Sequence, residues 1–265
     1  MPADAAQPSP YFVALGGGRY RPTEQAGGAW QPGEMHFAPL GGLLTHAIEQ
    51  HRAASGGAPL LLARVAFDIL GFLALEETEV RVETRRAGRT IELTEATASI
   101  AGRDVAVARA WHSVAVDTAG VEGGAAAPLP APEAMQVADF AEGWGGGYVR
   151  SVELRESGEG TPGRNRAWQR THHPLVSGER VVPLAGWIGL IDGANGIAVR
   201  ERPDEWMFPN LDLTIHLHRQ PVGGWVGFDT AVVFGPSGQG ITCTELHDER
   251  GHVGRASQTL TVRPA

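Results

Sequence analysis

The chain has 265 residues, 42% hydrophobic and 20% charged, a composition ordinary for a globular protein and a length that holds one large domain or two small ones. A net charge of -8 argues against a general nucleic-acid or anionic-membrane partner, though not against a local basic pocket for a small phosphorylated ligand. The single cysteine, Cys243, excludes an intrachain disulfide, and the apolar runs are far shorter than the roughly 20 residues that span a bilayer.

In chain order, MPADAAQPSP lacks the basic head and apolar run of a secretory signal, so a soluble, cytoplasmic protein is expected. PLGGLLTHAIEQHR at 39–52 reads as a helical stretch marked by Pro and Gly. Strands follow at 63–75, 78–88 and 89–102, and VARAWHSVAV at 107–116 closes the series. Residues 117–134, DTAGVEGGAAAPLPAPEA, form a Gly/Ala/Pro tract with little to pack, a linker by composition. The programme then repeats. PLAGWIGLIDGANG at 183–196 sets Leu184, Ile188 and Ile191 on one helical stripe, and strands are expected at 209–221, 224–238, 239–251 and, as VGRASQTLTV, at 253–262. A helix followed by antiparallel strands, executed twice, is an α+β plan with units at 1–116 and 135–265.

Strand parity singles out a few residues. In NLDLTIHLH, Leu211, Leu213, Ile215 and Leu217 point one way, and Asn210, Asp212, Thr214, His216 and His218 the other. Gln258 sits among Ala256, Leu260 and Val262, and His112 among Ala108, Ala110, Val114 and Val116. Each closing strand thus drops one hydrogen-bonding side chain into an apolar stripe, which costs on the order of 1–3 kcal/mol unless a partner meets it. For His112 a backbone carbonyl or a buried water would suffice. For Gln258 a partner is available in Asp192, an acid one turn after Ile188; alternatively Asp192 is a polar C-terminal turn, since Gly193 and Gly196 follow it.

Other signals carry less. GEGTPG at 158–163 fits a dinucleotide fingerprint but lies between two strand-like segments, so a hairpin loop is expected. GPSGQG at 235–240 is not a nucleophile elbow. His216 and His218 share a strand face without a third ligand at metal spacing, and no metal or other cofactor is expected. Cys243 alternates within ITCTEL as a small core or sheet residue. Arg109, Arg255 and Arg263 are surface strand charges unless they meet ligand phosphates.

The PLGGLL helix start, the aspartate of LIDGANG, the strand NLDLTIHLHRQP and the closing GHVGRASQTLTVRP resemble, in their order and spacing, the thioesterase-like branch of the hot-dog superfamily, similar to acyl-CoA thioesterase II. The resemblance covers nearly the whole chain. It implies a double hot-dog fold, each unit a long helix wrapped by an antiparallel sheet, further assembly as a homo-oligomer, and an acyl-CoA substrate. It also implies that a helix Asp, a Thr or Ser at a strand start and a Gln on the last strand hold the attacking water. These places fall on Asp192, Asn210 and Gln258, with Asn standing where the family usually has a hydroxyl. Asp192 would be general base and the two amides would fix the water. The oxyanion would meet backbone N–H groups at a helix start, with Gly41 and Gly42 the favoured pair over Ala185 and Gly186, and His112 would occupy the counterpart place in the first half. Two alternatives remain: a hydratase, disfavoured because no histidine closely follows Asp192, and a non-catalytic acyl-thioester or fatty-ligand binder in which Asn210 marks lost catalysis.

Overall fold

The computed structural model describes residues 8–56 and 59–265. Its first half runs β1 (Phe12–Gly16), β2 (Arg19–Pro22), α1 (Phe37–Ala54), β3 (Leu60–Ile69), β4 (Thr78–Arg86), β5 (Ile91–Ile100) and β6 (Arg103–Val114). The second half runs β7 (Gln136–Ala138), α2 (Gly147–Arg150), β8 (Val152–Glu156), β9 (Arg164–Thr171), β10 (Val176–Ser177), α3 (Pro183–Ile188) and α4 (Ala194–Ile197). It continues with β11 (Trp206–Met207), β12 (Asp212–Leu217), β13 (Val226–Phe234), β14 (Gln239–Asp248), β15 (Gly251–Thr261) and β16 (Arg263–Pro264). Fourteen of these strands form one sheet, in the order β10-β1-β2-β4-β5-β6-β3-β12-β15-β14-β13-β9-β8-β7, and β11 pairs with β16 apart from it. The halves join where β3 and β12 lie antiparallel, with Leu213 opposite Phe67. The only parallel pair among the described strands is β1 with β10, a piece of the second half added to the edge of the first.

α1 forms because Leu40, Leu43, Leu44, Ala47 and Ile48 repeat at helical spacing. It is a core helix: every residue from Phe37 to Ile48 is buried. The second-half counterpart is not one long helix. α3 stops at Ile188, a 3-10 turn spans Ile191–Gly193, and only one short turn of α4 follows. Gly186, Gly189, Gly193 and Gly196 weaken a continuous helix, each by up to about 1 kcal/mol relative to Ala. The stripe survives the break, since Ile188 and Ile191 are buried and Leu184 half-buried.

Several strand limits differ from the sequence pattern. β3 ends at Ile69, and residues 71–75 leave the sheet to pair with the loop before α1, Met35 N–H donating to Leu73 O at 2.7 Å and Leu75 N–H to Gly33 O at 2.8 Å. The stripe of β6 ends at His112, because Val114 and Val116 are exposed. β12 starts only at Asp212, and Leu211 is 50% exposed. The GEGTPG segment connects the antiparallel pair β8 and β9 as a hairpin loop. Cys243 is a sheet residue on the exposed face of β14.

Candidate active site

Two irregular segments and one strand bring the polar residues together. The break after α3 turns Asp192 into the interior, where its carboxylate is almost wholly buried. Gln258 arrives on the inward face of β15, and its Nε2 donates to Asp192 Oδ1 at 3.1 Å and to Asp192 O at 3.2 Å. Asn210 Nδ2 donates to the same Oδ1 at 2.8 Å and to Asp212 O at 3.1 Å.

Asn210 reaches Asp192 against simple parity. Within β12, Thr214 pairs with Ser257 of β15, but Asn210 pairs with Leu260, a slip of one residue. A one-residue slip exchanges the faces of a strand. Asn210 therefore turns inward with Leu213 and Ile215, and Leu211 turns out.

A fourth residue joins them from the first half. His36 caps the N-terminus of α1, its Nδ1 accepting from Ala38 N–H at 3.1 Å. The same nitrogen stands 3.4 Å from Asp192 Oδ2. Tyr148 lies along the ring, centroid to centroid 4.2 Å at 33°, and is itself fixed by Gln169 Nε2 donating to its hydroxyl at 2.7 Å. Burial pushes His36 down to about 3, although 16% of its side chain stays open, so the imidazole is neutral and the approach to Asp192 is not an ion pair. Because Nδ1 is an acceptor, the ring proton is on Nε2.

Burial pushes Asp192 the other way, up to about 6, with the Asn210 and Gln258 bonds restraining the rise. Both amides load Oδ1, leaving Oδ2 on the His36 side as the basic oxygen. The acid faces a cleft of about 120 Å³ lined by Trp30, His36, Phe37, Leu73, Asp192 and Asn210. A larger, shallow depression of about 580 Å³ lies on the outer sheet face among His216, Cys243 and Arg255 and shares none of these residues.

Comparison with known proteins identifies the family. The model of the acyl-CoA thioesterase N-terminal domain matches residues 27–113, and that of the acyl-CoA thioesterase C-terminal domain matches residues 126–262. The chain belongs to the acyl-CoA thioesterase family. It is a thioester hydrolase by that membership. Solved structures agree on the fold. A candidate thioesterase from Novosphingobium aromaticivorans is 20% identical over 95% of this chain and 98% of that one, with a TM-score of 0.69. Acyl-CoA thioesterase II TesB2 from Mycobacterium marinum is 16% identical over 96% of each chain, at 0.65. A hot-dog protein of Alicyclobacillus acidocaldarius is 11% identical over 94% of this chain and 95% of that one, at 0.69. The architecture is the double hot-dog, and no curated protein matches the chain.

Within this thioesterase, Gly41 and Gly42 belong to α1, beyond its first turn, where their amides serve the helix's own ladder. A Cβ on Gly42 would stand 2.9 Å from Ala185 O and 3.1 Å from the Gly189 Cα, so Gly42 lets α1 and α3 approach. His112 does not line the cleft. It is buried, its Nε2 2.6 Å from Glu49 Oε1 on α1. A histidine does stand beside Asp192, but it is His36 and comes from the other half. One sequence signal was available for it: His36 immediately precedes the apolar run of α1, at a capping position. Among the described residues no cluster of three or more His, Cys, Asp or Glu is arranged to hold a metal.

Proposed function

We propose that this thioesterase hydrolyses a short-chain acyl-CoA by attack of water activated by Asp192. The carboxylate takes a proton from water at Oδ2 while the hydroxide adds to the thioester carbonyl. Collapse of the tetrahedral adduct breaks the C–S bond, and the proton held by Asp192 passes to the departing thiolate. Asn210 and Gln258 then act on the base more than on the water: their amides hold Oδ1 and fix the direction of Oδ2. Among the described residues Gln258 Oε1 is buried without a partner, an acceptor for the water's second proton. The oxyanion falls at the start of α1, where the helix dipole favours negative charge.

The observation that carries this reading is one buried carboxylate, raised to about 6, held at one oxygen by two amides and open at the other to a cleft. The cleft supports the choice of acyl group. At about 120 Å³ it is well below the several hundred Å³ that encloses a drug-sized ligand, and a compact acyl end fits it.

The test is thiol release from short, long, branched and aromatic acyl-CoAs, with Asp192→Asn beside the wild type. Short acyl groups should be hydrolysed fastest, and Asp192→Asn should lower turnover at least about tenfold while leaving the fold intact. Unchanged turnover removes Asp192 from the mechanism. Thermal stabilisation by acyl-CoA with no CoA released would instead indicate a binder. The approach of His36 to Asp192 also favours a second reaction, hydration of an enoyl thioester. Loss of the enoyl chromophore without thiol release would select it.

A further inference from the structure

The acid site so described lacks a donor for the carbonyl oxygen, and α1 supplies one outside its backbone. We infer that His36 presents its Nε2–H to the thioester carbonyl and holds the oxyanion formed when water adds. This rests on the assignment of Asp192 as base.

Three observations converge on it. The tautomer is fixed, because Ala38 N–H donates into Nδ1 and leaves the proton on Nε2. The ring is fixed, because Tyr148 lies along it and Tyr148 is tied to Gln169. Nε2 also has no hydrogen-bond partner among the described residues, and His36, with 16% of its side chain exposed, lines the cleft beside Asp192 and Asn210. A donor that is oriented, unspent and open to the same cavity as the base is what a developing oxyanion requires. The amides of Gly41 and Gly42 are consumed inside α1 and cannot serve.

Neutrality suits the role. An imidazolium 3.4 Å from Asp192 would pair with the carboxylate and quench its basicity. Burial at the positive end of α1 prevents that charge from forming. The neutral ring polarises the carbonyl without yielding its proton, as an oxyanion donor must, and leaves proton transfer to Asp192.

His36→Asn tests the assignment, since Asn also caps a helix through a side-chain acceptor but places no N–H at the former Nε2. The expected result is a fall in kcat of about a hundredfold with little change in KM or melting temperature. The second readout is the infrared carbonyl stretch of an isotope-labelled acyl-CoA analogue in which the thioester sulfur is replaced by CH2. The stretch should shift to lower frequency on binding the wild type and Asp192→Asn, and not on binding His36→Asn. A kcat within about twofold of wild type, or a shift that persists in His36→Asn, overturns the inference. Absence of any shift in the wild type overturns it even if the variant fails to fold. Turnover surviving Asp192→Asn would break the reading of the base alone, and the carbonyl shift would still decide His36.

Discussion

The two halves treat the same position in opposite ways. On β15, Gln258 faces Thr242 of β14 and reaches a lone carboxylate. On β6, His112 faces Glu92 of β5 and reaches Glu49, but there the acid is not alone. Arg52 stands 3.7 Å from Glu49 and bonds Glu92 at 2.7 Å, so one guanidinium serves both acids inside the half. An amide partner satisfies a carboxylate's lone pairs without cancelling its charge, and the acid stays able to take a proton. A guanidinium partner sets a full positive charge beside the acid. The difference between a reactive interior and a structural one lies here in the partner supplied, not in the acid.

Breaking the first-half network should cost the most. Arg52→Met leaves the buried Glu92 and the half-buried Glu49 without their cation and should destabilise the fold by about 3–5 kcal/mol, measured by urea unfolding. Turnover per folded molecule should hold, since none of these residues lines the cleft. Loss of kcat at a temperature where the variant remains folded would show that the halves are not separable in this way.

The next effect is on pH. Asp192 has a pKa of about 6 in the fold against 3.8 for the ordinary carboxyl, so folding favours its protonated form. The associated stability is present below about pH 4 and lost as pH rises through about 6, a change of about 3 kcal/mol. Asp192→Asn lacks this titration. It should therefore gain on the wild type in melting temperature from pH 4 to pH 7, and wild-type turnover should rise through about pH 6 as the base ionises. A constant gap between the two melting curves would contradict a strained, ionised acid at neutral pH.

The smallest effect belongs to Asn210. Its Nδ2 bridges Asp192 Oδ1 and Asp212 O, a span that the shorter side chain of Thr does not reproduce. Asn210→Thr should lower kcat roughly five- to tenfold, or about 1 kcal/mol. A rise in rate would show the hydroxyl to be the better holder of the base.

Much of this was legible in the chain. Alternation placed Gln258 and His112 inward, and the cost of burying a polar group required partners for both. Asp192 was readable as one such partner from the helical stripe. What periodicity could not give were the features set by pairing across the fold. Asn210 turns inward only because the ladder to β15 slips by a residue, and no local pattern encodes that slip. That Gly42 lets α3 pack against α1 is likewise invisible within either stretch. His36 lies 156 positions before Asp192, and only the assembled sheet brings them within reach.

That assembly depends on the antiparallel contact of β3 with β12. Separating the halves there would bare two long edges whose unpaired N–H and C=O groups invite pairing with other chains. It would also part the imidazole on one side from the carboxylate on the other. The duplication thus made each half dependent on its neighbour twice over, for solubility and for chemistry. A single half would carry an exposed sheet edge and an incomplete set of reactive groups.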